Sequence, residues 1–366
     1  MSSKIKNGMI VILTSVLLLG ISIFGILLKD KTFSYSERRL LKQFPNKETS
    51  SLLSGKFMNE FEEYALDQFP LRESFRKLKA YTSSYVLHQR DQSGIYNIDG
   101  SLSKMEYPMN IDSIDKATST FQKIYNRYLK ESDTNVYFSV IFDKNYYMAD
   151  KGSVLSMNYD ALIKQLREKT AYMTYIDIQD KLDLDDFYKS DPHWRQESII
   201  NVAEKLASAM GSDISTNYEV VTLDEPFYGV YSGQSSLFHE SDQLRYLEHK
   251  QFQECIVTDY QNNRIIPVYD LEKAKGRDPY EMFLSGSLSL ITIENPNATT
   301  DKELILFRDS FSSSLAPLLV KGYSKITMVD IRYMQSDMLS SWVDFNNKDV
   351  LFLYSTLVLN HGETLK

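Results

Sequence analysis

Cysteine and histidine are scarce in this chain of 366 residues, and basic residues are outnumbered by acidic ones. Its single cysteine, Cys255, cannot form a disulfide within one chain, so no disulfide framework holds the fold together. The formal net charge of −8 argues against nonspecific binding to nucleic acid, which needs a basic surface to neutralise phosphates. Nucleic acid is therefore not an expected partner.

The five histidines show no spacing typical of a metal site. Four of them lie outside the short motifs described below: His88, His239, His249 and His361. We therefore expect no bound metal and no cofactor.

Long apolar runs are absent apart from one near the N-terminus. Residues 9–28 (MIVILTSVLLLGISIFGILL) carry no charge, and as a helix they would extend about 30 Å, the thickness of a bilayer core. Lys4 and Lys6 precede the run and favour a cytoplasmic N-terminus, although lysines on the far side weaken this bias. A cleaved signal peptide is the alternative, but the run is long for one and lacks a clear small-x-small cleavage site. We expect a single-pass anchor in the cell membrane.

The rest of the chain is then extracytoplasmic, and the sequence predicts four segments. They are a cytoplasmic tail at 1–8, the transmembrane anchor at 9–28, a stalk at 29–53 and a catalytic domain at 54–366. The domain begins with apolar residues at three- and four-residue intervals between Ser54 and Gln89. Because Pro70 interrupts this pattern, we expect two helices there.

Short β-rich apolar runs alternate with amphipathic stretches at both ends of this domain. Strands are predicted at TNVYFSVIF (134–142), YIDI (175–178), KELILF (302–307), KITMVDI (325–331) and DVLFLYST (349–356). Helices are predicted at 113–130, 159–171, 195–210 and 312–322. This alternation predicts an α/β sandwich with a mostly parallel central sheet and a mixed insertion around 212–300.

One candidate for chemistry is the stretch YKSDPHWRQES (188–198). Pro192 favours an extended backbone at Asp191, and residues two apart in an extended chain point to the same side. Asp191 and His193 therefore face one way, where a carboxylate fixes the tautomer of an imidazole, while Trp194 faces the other way as a packing wall. The structural alternative is a helix beginning at His193 and capped by Ser190 or Asp191.

A second candidate is Ser310, which comes directly after the predicted strand ending in LILF. Ligands of open α/β sheets bind beyond the carboxyl ends of the strands, and the start of a following helix stabilises an anion there. These are the needs of a nucleophile whose carbonyl substrate becomes an oxyanion. The alternative is that Ser310 only caps a helix, and Asp309 is expected to shape the turn.

Both stretches carry a resemblance to a known family. SDPHW (190–194) and LILFRDSFSSSLAPLL (304–319) resemble two signature blocks of the bacterial DHHW family, which is related to the alginate O-acetylation proteins of the SGNH-hydrolase-like group. Further stretches resemble that family in the same order: 36–45, 61–75, 95–102, 280–295 and 323–334. Two positions depart from the pattern, because Pro192 replaces the first histidine and Arg308 stands where many SGNH-like proteins have glycine.

The resemblance implies a three-layer SGNH-hydrolase-like domain and a catalytic triad. Ser310 would be the nucleophile, His193 the general base and acid, and Asp191 the residue that orients the imidazole. Oxyanion donors would be the backbone N–H of Ser310 and, from a glycine turn, that of Gly286.

Four further residues are candidates for substrate binding, and one of them is Trp194. Arg308 would hold an anionic substrate or pair with an acid. Arg332 and Tyr333 would lie near the site or, alternatively, form a strand-end salt bridge with a packed tyrosine.

The implied function is O-acetylation of a cell-surface or secreted polysaccharide by way of an acetyl-serine. A membrane-bound O-acyltransferase would be the partner that delivers the acetyl group, and the polysaccharide would be the acceptor. An acetylesterase with the same triad, and a noncatalytic glycan-binding or scaffold protein, are the alternatives.

Overall fold

The computed structural model describes residues 3–34, 36–46, 54–215 and 217–366. These residues form two compact units. One unit contains the described residues up to Ser93 together with Gly233–Phe238, and the other contains Gly94–Ser232 and His239–Lys366.

The first unit begins with the helix Ser3–Leu27, which is long and apolar enough to cross a membrane and is not buried by the rest of the protein. It continues with three short strands: β1 Phe33–Ser34, β2 Arg39–Leu40 and β3 Asp91–Gln92. The helices Lys56–Asp67 and Arg72–Tyr81 flank Pro70, which confirms the predicted interruption. A π-helical turn, Thr82–Val86, follows.

Part of the predicted stalk at 29–53 contains regular structure. Strands β1 and β2 pair as an antiparallel hairpin. The guanidinium of Arg39 donates two hydrogen bonds to the carboxylate of Asp67, at 2.8 and 2.6 Å. The backbone N–H of Lys42 donates to the same carboxylate at 2.9 Å. The stalk residues 47–53 lie outside the described residues.

The second unit contains the remaining strands. Their bounds are β4 Ile95–Ile98, β5 Ser101–Lys104, β6 Asn135–Ile141, β7 Thr174–Tyr175, β8 Glu219–Phe227, β9 Asp242–Glu248, β10 Ile256–Asp259, β11 Arg264–Ile266, β12 Leu290–Glu294, β13 Glu303–Arg308, β14 Lys325–Val329 and β15 Asp349–Ser355. Its α-helices are Ile111–Ile124, Lys144–Gly152, Tyr159–Lys169, Ile200–Ala209, Lys250–Glu254, Leu271–Ala274, Ser312–Leu319 and Thr356–Leu359. The helix Val230–Ser235 begins in this unit, and its residues from Gly233 onward are assigned to the first.

An eight-stranded sheet is the centre of the described part of this unit, with the strand order β11-β10-β12-β14-β13-β15-β6-β7. Neighbours from β14 to β7 are parallel, whereas β12, β10 and β11 add to the edge in antiparallel pairs. The five strands predicted from sequence all belong to the parallel part. The antiparallel strands come from the segment expected to be an insertion around 212–300, so part of that segment extends the sheet.

Helices cover both faces of the sheet, because strands such as β13 carry apolar side chains on both faces. Its side chains alternate, so Leu304 and Leu306 pack with the helices Ile200–Ala209 and Ser312–Leu319. Ile305 and Phe307 pack on the other face. The helices on that second face are Ile111–Ile124 and Tyr159–Lys169. The result is a three-layer α/β fold, and the carboxyl ends of β6, β13, β14 and β15 meet at one edge of the sheet.

Candidate active site

Ser310 lies where β13 leaves the sheet at this carboxyl edge. The turn is fixed by the buried side chain of Asp309, whose two carboxylate oxygens accept hydrogen bonds from the backbone N–H groups of Phe311 (3.1 Å) and Ser355 (2.7 Å). Asp309 therefore shapes the turn, as the sequence indicates, and joins the ends of β13 and β15. Ser310 itself remains partly exposed.

The side chain of Ser310 does not cap a helix. The helix begins at Ser312 with Phe311 at the capping position, and no side chain caps it by a hydrogen bond. The hydroxyl oxygen of Ser310 instead lies 2.8 Å from Nε2 of His193. Reading Ser310 as a helix N-cap is therefore wrong, because its side chain is engaged by a residue 117 positions away.

Asp191 and His193 lie on a short loop. The loop is closed by a β-bridge between Phe187 and Trp194 and by a hydrogen bond from Tyr188 N–H to the carbonyl of His193 (3.1 Å). The alternative of a helix that begins at His193 is wrong, because helical geometry begins only with a 3₁₀ turn at Gln196–Ser198.

The loop places the Asp191 carboxylate beside the His193 ring. Oδ1 of Asp191 is 2.6 Å from Nδ1 of His193 and also accepts a hydrogen bond from the His193 backbone N–H at 3.1 Å. Asp191 is fully buried, whereas 13% of the His193 side chain is exposed. Carboxylate, imidazole and hydroxyl thus form a continuous hydrogen-bonded chain, the Asp191–His193–Ser310 relay.

A relay of this geometry can move a proton from a serine hydroxyl to an imidazole. With a proton on Nδ1, the ring donates to Asp191 and leaves Nε2 free to accept from the Ser310 hydroxyl. The buried carboxylate then stabilises the imidazolium that forms.

Tyr280 is a neighbour of the relay that the sequence analysis missed. Its ring stacks on the imidazole of His193, with centroids 3.9 Å apart and planes 11° from parallel. Its hydroxyl is 2.8 Å from Oγ of Ser314, which fixes the ring from behind. Tyr280 is the first residue of the stretch 280–295, which the sequence analysis named only for its resemblance to the DHHW family and not as part of the site.

A backbone clamp from residues 229–231 holds the Asp191 loop. Val230 N–H donates to Oδ2 of Asp191 (2.9 Å), and Gly229 N–H donates to Oγ of Ser190 (2.8 Å). Tyr231 N–H donates to the carbonyl of Ser190 at 3.1 Å. A Cβ on Gly229 would lie 2.3 Å from Cβ of Asp191, so only glycine allows this approach.

Asp242 holds the same loop from another side. Its carboxylate accepts hydrogen bonds from the backbone N–H groups of Lys189 (2.7 Å) and Ser190 (2.8 Å) and from the Ser190 hydroxyl. Residues 229–231, Asp242 and Tyr280 all come from the predicted insertion, so this segment helps to build the candidate site.

Trp194 packs against the segment that carries Ser310. Its fully buried indole N–H is within hydrogen-bonding distance of the carbonyl of Phe311 (3.0 Å) and of Oγ of Ser314 (2.9 Å). It ties the His193 loop to the segment that carries Ser310.

Arg308 is fully buried and binds groups of the protein itself. Its guanidinium donates to Oγ of Ser313 (2.9 Å) and to the carbonyl of Leu288 (3.1 Å). Burial lowers the pKa of Arg308, and the charge of Asp330 acts in the opposite direction. These contacts lock the end of β13 in place.

The other predicted substrate-binding residues make no contact with the relay among the described residues. Arg332 forms a two-pronged ion pair with Asp330, at 2.9 and 2.6 Å, and its guanidinium lies 5.4 Å from the ring centre of the exposed Tyr333. This arrangement is the strand-end salt bridge given as the alternative.

The two expected oxyanion donors differ in availability. Gly286 has a φ of +93°, and its N–H already donates to the carbonyl of Phe283 at 3.1 Å. The N–H of Ser310 donates no hydrogen bond within the described part of the chain. Ser310 N–H is therefore free for a ligand, whereas Gly286 N–H is used by its own turn.

The architecture is a three-layer α/β fold with a mostly parallel central sheet, which confirms the fold class predicted from the sequence. No family model and no curated protein matches the sequence. Solved structures do match it. A DHHW family protein from Eubacterium siraeum is 18% identical over 74% of this chain and 93% of its own, with a TM-score of 0.58.

Bacillus cereus PatB1 is similar to the same extent, at 18% identity over 72% of this chain and 96% of its own, with a TM-score of 0.57. It has also been solved with a sulfonyl adduct. The O-acetyltransferase domain of Pseudomonas putida AlgJ is 12% identical over 73% of this chain and 92% of its own, with a TM-score of 0.47. The resemblance to the DHHW family noted in the sequence is thus confirmed at the level of the fold.

Proposed function

We propose that this chain is a membrane-anchored, extracytoplasmic serine acyltransferase that O-acetylates a cell-surface or secreted polysaccharide. The observation that carries the proposal is the relay, in which Nδ1 of His193 lies 2.6 Å from Asp191 and Nε2 lies 2.8 Å from the Ser310 hydroxyl. Its position at the carboxyl edge of the parallel sheet is where α/β proteins bind ligands.

In the first half-reaction, Oγ of Ser310 attacks the carbonyl carbon of an acetyl donor while its proton passes to Nε2 of His193. The carbonyl oxygen becomes an oxyanion, and the free N–H of Ser310 is one donor to it. When the tetrahedral intermediate collapses, the donor leaves with the proton from His193. The acetyl group remains on Ser310 as an ester.

In the second half-reaction, His193 removes the proton of a sugar hydroxyl, whose oxygen attacks the acetyl-serine. Collapse of this intermediate transfers the acetyl group to the sugar and returns the proton to Ser310. Positioned proton transfer of this kind contributes about 10²- to 10⁴-fold to a rate. Both half-reactions use the same three side chains.

The N-terminal helix supports a membrane location for this chemistry. Its 25 residues would extend about 38 Å as a helix, enough to cross a bilayer core. Anchoring would keep the site close to a membrane-bound O-acyltransferase partner and so raise the effective concentration of the acetyl donor.

The experiment that tests the proposal separates acylation from transfer. The full-length protein in detergent is incubated with 4-nitrophenyl acetate, and intact-protein mass spectrometry should show one added acetyl group. Ser310→Ala should abolish this adduct. Ser312→Ala is the matched control, because the buried Ser312 hydroxyl has no hydrogen-bond partner among the described residues, and it should be acetylated as before.

A panel of neutral and acidic oligosaccharides is then added as acceptors. Acetylated oligosaccharide supports the transferase, whereas release of acetate without transfer to any acceptor indicates the esterase. Binding of an oligosaccharide with neither an adduct nor hydrolysis would overturn the enzymatic proposal in favour of a binding protein.

A further inference from the structure

Strand β6 ends at the same carboxyl edge as β13, and a buried lysine follows it. Lys144 is the first residue of the helix Lys144–Gly152, and only 1% of it is exposed. A buried ammonium group is costly unless hydrogen bonds and opposite charges compensate for its lost hydration. The hydrogen-bond partners and charges around the Lys144 ammonium group therefore indicate its role.

Its ammonium group lies against the loop that carries Asp191. Nζ of Lys144 donates to the carbonyl oxygens of Tyr188 (2.7 Å), Lys189 (2.9 Å) and Asp191 (3.4 Å). A protonated lysine has three N–H donors, so three carbonyls from one short segment use all of them. The ring of Tyr231 lies 5.8 Å from Nζ on another side.

The carboxylates near Lys144 favour the charged form of its buried ammonium group. Burial lowers the pKa of Lys144 to about 7, while the carboxylates of Asp242 and Asp191 raise it. Asp242 binds N–H groups of the same segment whose carbonyls bind Lys144. The backbone of the loop is therefore held between a cation on its carbonyls and an anion on its N–H groups.

We propose that Lys144 is a positioning residue of the candidate active site, whose buried ammonium group holds segment 188–191 so that Asp191 keeps His193 aligned on Ser310. The inference rests on the proposed function, because it assigns Lys144 a part in the alignment of that relay. Lys144 acts through the backbone of the loop and touches neither Ser310 nor a substrate.

The first test replaces the ammonium group without opening a large cavity. Lys144→Met keeps much of the side-chain volume but removes one hydrogen bond from each of the carbonyls of Tyr188, Lys189 and Asp191. We expect the rate of Ser310 acylation by 4-nitrophenyl acetate to fall at least tenfold in kcat with little change in KM. Lys151→Met, at an exposed position of the same helix, is the matched control and should behave like the unaltered protein. An unchanged kcat in folded Lys144→Met would overturn the inference.

Chemical rescue separates positioning from a general loss of stability. In Lys144→Ala, added propylammonium should enter the space left by the side chain and restore a large part of the lost rate. It should have no effect on Lys144→Met or Lys151→Met. If the lost rate equals the lost fraction of folded protein and propylammonium restores nothing, Lys144 is only structural.

Lys144→Gln, which keeps an N–H donor, replaces the methionine variant if that one does not fold, and its kcat should be intermediate.

A spectroscopic readout distinguishes a failure of this inference from a failure of the proposed function. The Nδ1–H proton of His193, held against Asp191, should give a low-field proton NMR signal in the unaltered protein and in Lys151→Met. The signal should broaden or disappear in Lys144→Met, and its persistence would contradict the inference. If the unaltered protein shows this signal but never acylates Ser310, the proposed function fails while the positioning role stands.

Discussion

His193 is held by contacts on its edges and on its face. Asp191 and Ser310 engage the two ring nitrogens, and Tyr280 stacks on one face of the ring. A ring fixed in this way loses little freedom when it accepts a proton, and an aromatic face also attracts the resulting cation. Substitutions of residues that contact the His193 ring should therefore lower the rate of Ser310 acylation more than they lower the stability of the fold.

Tyr280 offers a pair of variants that separates its ring from its hydroxyl. Tyr280→Leu removes the aromatic face, and we expect Ser310 acylation to slow by roughly tenfold, since a cation–aromatic contact is worth about 0.5–2 kcal/mol. Tyr280→Phe keeps the ring and loses only the hydrogen bond to Ser314, so its rate should stay within about threefold of the unaltered protein, and its stability should fall by about 1 kcal/mol. Stopped-flow acylation with 4-nitrophenyl acetate measures both; equal rates for the two variants would rule out a role for the stack.

Gly229 should tolerate no side chain. The Cβ of Gly229→Ala would meet Cβ of Asp191 at 2.3 Å and the carbonyl oxygen of Ser190 at 2.4 Å, so the loop must move away. We expect acylation of Ser310 to fall at least tenfold. Gly20→Ala is the control, because nothing described lies within 4 Å of its new methyl group. Equal rates in the two variants would show that the clamp at 229–231 is unnecessary.

At the scale of elements, the carboxyl ends of β13 and β15 are joined by one side chain. Asp309 accepts hydrogen bonds from the backbone N–H groups of Phe311 and Ser355, and all three residues are buried. The turn that presents Ser310 therefore depends on a connection between neighbouring strands.

Asp309→Ala would leave both N–H groups buried without an acceptor. Each such group costs about 1–3 kcal/mol, so the free energy of unfolding should fall by roughly 2–4 kcal/mol. Asp301→Ala, at an exposed position just before the same strand, should change it by less than about 0.5 kcal/mol. Urea unfolding followed by circular dichroism measures the difference, and similar midpoints for both variants would contradict this account of the turn.

The sequence predicted the elements whose signals are local. Strand β13 is an apolar run that ends in a polar turn, and the Asp191-Pro192-His193 spacing places two side chains on one side of an extended chain. Both features are visible within a few residues. Lys144 was within reach of the same reasoning, because it follows a predicted strand at the carboxyl edge.

The sequence did not predict the partners that come from far along the chain. Gly229 and Val230 contact the Asp191 loop from 39 residues away, and Asp242 does so from more than 50. Tyr280 reaches His193 from a turn with no periodic pattern. Such contacts depend on how the segment at 212–300 folds back on the sheet, and short-range patterns do not encode that path.

At the scale of the whole molecule, one partly buried ion pair should make stability depend on pH. Burial acts to raise the pKa of Glu106, but His361 and Lys104 outweigh it, so this pKa lies below the ordinary 4.5. The interaction with Glu106 raises the pKa of His361 above the ordinary 6.5, and burial opposes the rise. Nε2 of His361 lies 3.6 Å from Oε2 of Glu106, and Nδ1 of His361 lies 3.7 Å from Oε1 of Glu363.

The lowered carboxyl pKa adds stability that is present above 4.5 and is lost as the pH falls through the pKa of the folded state. The raised imidazole pKa adds stability that is present below pH 6.5. This stability is lost as the pH rises through the pKa of His361 in the folded state. The pair should therefore stabilise the protein most near about pH 5.5. Glu106→Gln should lose more stability there than at a pH above the raised pKa of His361, where the imidazole has lost its proton, as measured by urea unfolding across a range of pH. The exposed Glu168→Gln should show no such difference, and a pH-independent effect of Glu106→Gln would contradict the assignment.

The central claim for the whole molecule is that Ser310, activated by His193 and Asp191, is its nucleophile. The most direct measurement is to treat the full-length protein with a sulfonyl fluoride and to locate the modified residue by peptide mass spectrometry. The account predicts modification of Ser310 and of none of the buried neighbours Ser312, Ser313 and Ser314, and loss of modification in His193→Gln. Modification of another serine, or of none in the folded protein, would contradict it.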